Sequence, residues 1–218
     1  MEVQNLIAFV DIFAAVSFAA TGALVASRKG LDILGFMWLG VLTGVGGGTV
    51  RDLVLDAPVF WVVNSHYLTI CLVTATIVYF AAPRIESRYT LVLWFDALGL
   101  AFVTVAGTAK ALDYEAGALV AIIMGVITAS VGGIIRDLIG HEPSIVLKRE
   151  IYVTAAATGA SIYVLVEGWN LDWLHPALAG FFVTFVIRAL AMSFNWSLPG
   201  YQRPAKNAGS SQQSGRSE

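Results

Sequence analysis

Charged residues are scarce in this sequence. Only 13% of its 218 residues are Asp, Glu, Lys or Arg, while 57% are hydrophobic, and the mean hydropathy is +0.75. A soluble domain carries roughly 25% charged residues, so this chain lacks the side chains for a water-facing surface. The net charge of −2 and the lack of a basic patch before the last residues argue against a nucleic-acid partner. The composition indicates an integral membrane protein.

Cysteine is nearly absent, since Cys71 is the only one. It lies in an apolar run, so an intrachain disulfide is excluded and a buried, inert thiol is expected. The N-terminus also lacks the basic start that is typical of a secretory signal peptide. The first hydrophobic segment is therefore expected to remain as a membrane span.

Signals for catalysis and metal binding are missing as well. The histidines His66, His141 and His175 stand apart from one another, which gives no metal-ligand spacing. There is no nucleophile motif, phosphate-binding loop or dinucleotide fingerprint, and Glu142 and Glu150 have no partner at catalytic spacing. The sequence predicts no enzyme, no metal site and no bound cofactor.

Long apolar runs dominate the rest of the chain. A helix needs about 20 apolar residues to cross the hydrocarbon core, and helices are expected because lipid tolerates no unpaired backbone groups. The runs also lack the alternation of polar and apolar residues that marks barrel strands. The candidate spans are residues 6–26, 32–55, 61–82, 90–111, 116–140, 151–167 and 175–195. The predicted fold class is an all-α integral membrane protein with seven transmembrane helices.

Basic residues in the connecting segments predict the orientation. They are Arg28, Lys29, Arg84, Arg88, Lys148, Arg149, Arg203, Lys206 and Arg216. All of these segments fall on one side of a seven-span chain, whereas the other side has only Lys110 near a span end. The positive-inside rule then places the C-terminus in the cytoplasm and the N-terminus outside. An interfacial aromatic belt is predicted at Trp61, Trp94, Trp169, Trp173 and Trp196.

An internal duplication is the most informative pattern. Residues 11–80 align without a gap onto residues 96–165, and this alignment matches two Gly-Gly-x-x-Arg-Asp-Leu blocks that begin at Gly47 and Gly132. Further identities are Asp11 with Asp96, Gly22 with Gly107, Pro58 with Pro143 and Tyr67 with Tyr152. Each copy holds three spans, an odd number, so the second copy enters the membrane from the opposite side. Such inverted repeats are typical of transporters.

The duplication divides the chain into four predicted regions. Residues 6–83 form the first three-helix repeat, residues 90–167 form the second, inverted repeat, and residues 175–196 form the seventh transmembrane helix. Residues 199–218 are rich in Gly, Ser, Gln and Pro, which predicts a disordered cytoplasmic tail.

Glycine stretches occupy equivalent places in the second and fifth spans. Residues 44–49 read Gly-Val-Gly-Gly-Gly-Thr and residues 129–133 read Ala-Ser-Val-Gly-Gly. Each glycine costs about 1 kcal/mol in a helix interior, which predicts kinks or breaks, and paired breaks indicate a permeation or binding site. The candidate kink residues are Gly46, Gly47, Gly48, Gly132 and Gly133. The alternative is close helix packing through Gly40, Gly44 and Gly48.

Ionisable residues within spans usually face a bundle interior or a cavity. The candidates are Arg51, Asp52, Arg136, Asp137, Asp11, Asp96 and Lys110. The arginines are expected to reach carboxylates of the other half, or else to snorkel toward headgroups. The two early aspartates either stabilise helix N-termini or attract a cation or an arginine. Lys110 is either a pore charge or a snorkelling residue.

Hydroxyl side chains offer a candidate lining for a polar path. They are Ser17, Thr21, Thr43, Thr49, Thr104, Thr128 and Ser130. The alternative is that each hydroxyl bonds to the backbone of its own helix.

Two glycine stretches followed by Arg-Asp, within a three-plus-three repeat of spans, resemble the trimeric intracellular cation (TRIC) channel family, whose duplicated domain is also labelled a glycine transporter domain. The resemblance covers about residues 6–196. By motif match it assigns the kinks to the five glycines named above and the flanking charges to Arg51, Asp52, Arg136 and Asp137. Val131 stands where the first repeat has Gly46, so the two halves are expected to bend differently.

The resemblance implies a homotrimer surrounded by lipid in the cell (inner) membrane of a prokaryote, with its N-terminus outside. It implies one pore in each subunit, beside the second and fifth spans, that conducts potassium and other monovalent cations. The leading hypothesis is thus a potassium channel with no cofactor besides the permeant ion. A secondary transporter of a small solute such as glycine is the alternative, and a membrane scaffold whose glycines serve only packing is a third.

Overall fold

The computed structural model describes residues 2–85, 88–143, 151–169, 171–172 and 174–197, with side chains from residue 7 onward. Its helices are α1 Glu2–Arg28, α2 Ile33–Val54, α3 Phe60–Val63, α4 His66–Ala81, α5 Arg88–Asp113, α6 Ala118–Ile139, α7 Val153–Glu167 and α8 Leu174–Ser193, with a 3-10 turn at Ala82–Arg84. The predicted all-α class is confirmed. The predictions for Lys148, Arg149, Glu150, Trp173 and the tail at residues 199–218 lie outside the described residues.

Six helices in the described ranges are long and apolar enough to cross a membrane, namely α1, α2, α4 with its 3-10 turn, α5, α6 and α8. The predicted sixth span is the apolar helix α7, which has 15 residues. Its length of about 22 Å at 1.5 Å per residue is shorter than a hydrocarbon core of about 30 Å. The predicted third span is divided, because Asn64 has extended backbone between α3 and α4.

Helices α1 and α5 form the centre of the bundle. Their apolar segments are 72% and 61% buried, compared with 22% for α4 and 33% for α8. The central helices contact each other and also pack against α2 and α6, respectively. The remaining helices surround this four-helix centre and expose large apolar side chains such as Ile77 and Phe182.

Both repeats fold in the same way at the level of single contacts. A Cβ atom built on Gly22 of α1 would lie 2.6 Å from Thr43 Oγ1 of α2. A Cβ atom on Gly107 of α5 would lie 2.8 Å from Thr128 Oγ1 of α6. Small residues at these positions let the two helices of each pair approach closely. The sequence duplication is therefore a duplication of packing.

The ends of α2 and α6 are also equivalent. Each helix is followed by a non-glycine residue in the left-handed conformation, Asp56 (φ 52) after α2 and His141 (φ 48) after α6. The next amide reaches back over the turn, from Ala57 to the carbonyl oxygen of Asp52 at 2.8 Å and from Glu142 to that of Asp137 at 2.9 Å. These hydrogen bonds satisfy carbonyl groups of the last helical turn and hold the Arg-Asp pairs in place.

Candidate functional site

Helices α2 and α6 cross at the middle of the bundle through glycines. A Cβ atom on Gly132 would lie 2.8 Å from the carbonyl oxygen of Thr43, and one on Gly47 would overlap the carbonyl oxygen of Thr128. Thr43 of α2 thus lies beside Gly132 of α6, while Gly47, four residues later in α2, lies beside Thr128, four residues earlier in α6. The two helices are therefore antiparallel. Backbone therefore meets backbone at this crossing, and no side chain fits between them.

The glycine stretches do not break their helices. Both α2 and α6 are continuous α-helices through them, so a break that frees backbone carbonyls and amides is wrong for this structure, whereas kinks at these glycines stay a prediction. Close packing, the alternative through Gly40, Gly44 and Gly48, matches Gly40 and Gly44, where an added Cβ atom would lie 3.0 Å from Ala75 Cβ and 2.7 Å from Cys71 Sγ of α4. Gly46, Gly47 and Gly132 face the other helix of the crossing. Gly48 instead faces the Phe60 ring, and Gly133 faces a group of buried polar side chains. The predicted difference in bend between the two halves stays a prediction.

The first-repeat cluster consists of Asp11, Arg51, Asp52 and Lys110. The Arg51 guanidinium donates to both oxygens of Asp11, at 2.9 and 3.0 Å, and through Nε to Asp52 Oδ1 at 2.7 Å. Lys110 Nζ lies 2.7 Å from the same Asp52 oxygen, and the backbone amide of Phe60 donates to the other oxygen at 2.8 Å. Arg51 and Asp52 are fully buried, whereas the Lys110 side chain is 12% exposed. The cluster ties α1, α2 and α5 together.

The second-repeat cluster consists of Asp96, Arg136 and Asp137. Arg136 Nη1 lies 2.6 Å from Asp96 Oδ1, and its Nε donates to Asp137 Oδ1 at 2.9 Å. These positions correspond one for one to Asp11, Arg51 and Asp52. Because α2 and α6 are antiparallel and each cluster lies near the end of its helix, the two clusters lie toward opposite ends of the bundle.

The charge pairing corrects the prediction in one respect. Each arginine pairs with carboxylates of its own repeat rather than the other half, and neither snorkels, since both side chains are fully buried. Within the first-repeat cluster the residue from the other repeat is Lys110, whose ammonium donates to Asp52. Asp11 and Asp96 serve as arginine partners rather than as isolated N-terminal charges. Buried ions require such partners because the desolvation of an unpaired charge costs several kcal/mol.

A cavity of about 330 Å³ opens next to the first-repeat cluster. Its lining residues are Ile7, Ala8, Asp11, Pro58, Phe60, Val63, Asn64, Tyr67, Lys110, Asp113 and Tyr114. Asp11 and Lys110 thus belong to both the cluster and the cavity wall. Two carboxylates and one ammonium line this space, so its wall favours cations over anions.

The candidate hydroxyls are buried, and most of them bond to their own helix. Thr21, Thr43, Thr104 and Thr128 are fully buried, Ser17 and Ser130 are nearly so, and Thr49 is partly buried. Every one except Ser17 donates to a carbonyl oxygen three or four residues earlier, at 2.5 to 2.8 Å. Thr49 also accepts a hydrogen bond of 2.8 Å from Trp61 Nε1. This geometry matches the backbone-bonded alternative.

Arg188 of α8 is the buried charge that the sequence analysis missed. Its side chain is 1% exposed, and its Cζ lies 5.2 Å from the centroid of the Tyr152 ring. A signal was present, because Arg188 is the only ionisable residue between 176 and 195, and such a residue within a span indicates a functional site. The repeat alignment does not include it, since α8 lies outside both repeats.

A third group of ion pairs lies at the end of the bundle opposite the cavity. Glu142, which follows α6, lies 3.5 Å from Arg28 Nη2 and 3.2 Å from Lys29 Nζ. Arg28 also stacks over the Tyr89 ring at 4.9 Å. These partly exposed pairs connect the α1–α2 turn to the end of α6.

Comparison with protein families gives two matches within this chain. Residues 8–83 and residues 93–168 each match the family described as glycine transporter. The chain is 38% identical over 200 residues to the UPF0126 inner membrane protein YadS of Escherichia coli (strain K12), covering 90% of this chain and 96% of that protein. It is 37% identical over 199 residues to the UPF0126 membrane protein YvgT of Bacillus subtilis (strain 168), covering 87% and 93%, respectively.

Solved structures show the same architecture. The TRIC trimeric intracellular cation channel orthologue from Rhodobacter sphaeroides is 46% identical with a TM-score of 0.86, covering 88% of this chain and 100% of that one. A prokaryotic TRIC channel is 26% identical with a TM-score of 0.83, covering 89% and 100%. A trimeric intracellular cation channel from C. elegans shares the fold. It is 17% identical with a TM-score of 0.56, covering 88% of this chain and 98% of that one.

Proposed function

This chain belongs to the TRIC family and carries its duplicated glycine transporter domain, and from this membership and the site geometry we propose that it is a channel for monovalent cations, with potassium as the physiological ion. Each subunit has its own pore, between the central helices α1 and α5 and beside the crossing of α2 and α6. Conduction is passive and needs no cofactor or enzymatic step.

The observation that carries the proposal is the cavity that leads to a buried ionic cluster. Asp11 and Lys110 line the cavity and also belong to the first-repeat cluster, which connects the open space to the charged interior. A hydrated cation entering there meets the carboxylates of Asp11 and Asp113. The equivalent second-repeat cluster lies toward the other end, so both ends of the proposed path have buried carboxylates that pair with an arginine.

The proposed gate is the glycine crossing itself. In this conformation the backbones of α2 and α6 touch at Gly47 and Gly132, and the Phe18 ring lies close by, 3.9 Å from a Cβ atom on Gly132. A separation or rotation of the two helices there would join the two ends. Because the glycines offer no side chains that interlock, such a shift meets little steric resistance.

The proposed assembly is a homotrimer in the cell membrane, with its outer surface in contact with lipid. The relative from Rhodobacter sphaeroides is named as trimeric, and YadS is named as an inner membrane protein. The excess of Lys and Arg in alternate connections favours an N-terminus outside and a C-terminus in the cytoplasm. The cavity at the first-repeat cluster then faces the outside.

Single-channel recording tests the proposal. Purified protein in a planar bilayer with a potassium chloride gradient is expected to give discrete currents that reverse near the potassium equilibrium potential. A reversal near the chloride potential would contradict cation selectivity. Absence of current, together with saturable glycine uptake into proteoliposomes, would instead support the transporter that the family description names.

A further inference from the structure

The ring of Phe18 in α1 fills space between α5 and α6. Its side chain is buried. The ring atoms Cδ1, Cε1 and Cζ would lie 3.2 to 3.3 Å from a Cβ atom on Gly99 of α5. The Cδ2 atom, on the other side of the ring, would lie 3.9 Å from a Cβ atom on Gly132 of α6. One aromatic ring therefore reaches from a glycine of one helix to a glycine of the next.

The ring lies between the two charge clusters along the bundle. Phe18 follows Asp11 of the first-repeat cluster by seven residues in α1, which is about 10 Å along a helix. Its neighbour Gly99 follows Asp96 of the second-repeat cluster by three residues in α5, which is about 4.5 Å. A cation that moves from one cluster to the other inside the bundle therefore passes the level of this ring.

The two repeats differ at this level. In the ungapped alignment Phe18 corresponds to Val103, and Gly99 corresponds to Ala14. Phe18, Val103 and Ala14 belong to one buried apolar cluster. The large ring beside a glycine in one half thus corresponds to a smaller side chain and an alanine in the other. A valine at position 18 would repeat what the fold already has at position 103.

The surroundings of the ring are mainly apolar. Its cluster also contains Leu100, Ala129 and Ala155, and the hydroxyl of Tyr152, a further member, donates to the carbonyl oxygen of Ala129 at 3.4 Å. Aliphatic and aromatic groups offer a cation little in exchange for its hydration shell, and the removal of an ion from water costs several kcal/mol. Apolar constrictions in channels act as gates because water leaves them.

We propose that the Phe18 ring is the apolar barrier of the pore. While α2 and α6 touch, the ring keeps water and cations out of the level between the two clusters, and it turns aside when the helices separate. The glycine crossing then provides the movement, and Phe18 provides the seal. This inference rests on the proposed channel function, and Phe18 acts by excluding water rather than by binding the ion.

Two variants of nearly equal size test whether the ring excludes water. Phe18→Val introduces the residue of the equivalent position, and Phe18→Thr has a similar shape but carries a hydroxyl group. Potassium efflux from proteoliposomes, per folded protein, should rise at least about tenfold for Phe18→Val, which corresponds to a barrier lowered by about 1.4 kcal/mol. Phe18→Thr should raise it further, because a polar group favours wetting of the constriction.

Phe36 provides the matched control for packing. It is a buried phenylalanine near the start of α2, in a different apolar cluster, with its ring centroid 5.0 Å from that of Tyr79. Phe36→Val removes the same atoms and should also lower the melting temperature, yet it should leave the efflux unchanged. If size-exclusion chromatography shows that Phe18→Val and Phe18→Thr do not fold, Phe18→Leu decides, since leucine is closer in size and should also raise the efflux.

The outcomes separate the barrier from the channel itself. If the unmodified protein conducts and the folded Phe18 variants give the same efflux, the barrier is overturned and the channel proposal stands. An equal rise in Phe36→Val, or an efflux through Phe18→Thr no higher than through Phe18→Val, would also overturn exclusion of water by the ring. A silent unmodified protein with conducting Phe18 variants would support the barrier, whereas silence of all of them would overturn the channel proposal and this inference with it.

Discussion

Gly47→Ala is expected to prevent assembly of the folded bundle, or to destabilise it by at least the upper end of the roughly 1–3 kcal/mol typical of an overpacked core. The new Cβ atom would overlap the carbonyl oxygen of Thr128 in α6. Because the obstacle is backbone rather than a flexible side chain, no rotamer change relieves it, and α2 and α6 must separate. Thermal unfolding of the purified protein in detergent, read together with the yield of the folded fraction, measures the effect.

Two other glycines serve as controls for this substitution. A Cβ atom on Gly117 would meet nothing within 4 Å, and its φ of −61° suits alanine. Gly117→Ala should therefore lower the melting temperature far less than Gly47→Ala, by no more than the weaker preference of alanine for the N-cap position of α6. Gly46→Ala should have an intermediate effect, since its Cβ would lie 2.7 Å from Ile135 Cδ1, the end of a side chain that can rotate. Equal melting temperatures for Gly47→Ala and Gly117→Ala would rule out backbone contact at the crossing.

Arg51→Met is expected to be the most harmful substitution of a single charge. Removing one partner of a buried ion pair costs about 3–5 kcal/mol, because the remaining charge stays buried without compensation. Here the loss leaves Asp11 and Asp52 with Lys110 as the one cation of their cluster. Thermal unfolding in detergent should show a large decrease in stability, and Arg84→Met, which changes an exposed arginine, should show little.

A double variant tests whether charge is the cause. Asp11→Leu combined with Arg51→Met removes one charge of each sign and leaves the neutral pair of Asp52 and Lys110. Replacing a buried ion pair by apolar residues is often neutral or stabilising, so the double variant should melt at a higher temperature than Arg51→Met alone. If it melts at the same temperature or lower, the packing of the long arginine side chain is what matters.

The repeat alignment predicted which charged residues are equivalent, but not which residues they pair with. The ungapped alignment identified Asp11, Arg51 and Asp52 and their equivalents as a set, but it assigned the arginines to partners in the other half. The structure pairs each arginine with carboxylates of its own half, and Lys110 of the second half joins the first-repeat cluster through Asp52. Spacing along a helix defines which residues share a face, whereas the identity of the facing helix depends on how all the helices pack.

The glycine stretches were located by sequence but their role was not. Glycine has a low helix propensity, so each glycine destabilises an isolated helix, and for this reason the sequence predicted kinks or breaks. In the bundle the lost propensity is offset by contacts between α2 and α6 that a Cβ atom would prevent. Arg188 was overlooked for a related reason, because it contacts Tyr152, the residue before the first residue of α7, and no local pattern reveals this contact.

By itself, the sequence determined that this is a helical membrane protein, where most of its long apolar helices lie, and that it contains two related repeats. Those conclusions follow from the bilayer, which requires long apolar helices, and from identities in register, which need no coordinates. Only the tertiary structure decided which helices cross, that the glycine stretches stay helical, and which charges meet. The physical reason is that buried ion pairs and backbone contacts form between residues far apart in the chain, and their energies depend on distances that one-dimensional spacing does not contain.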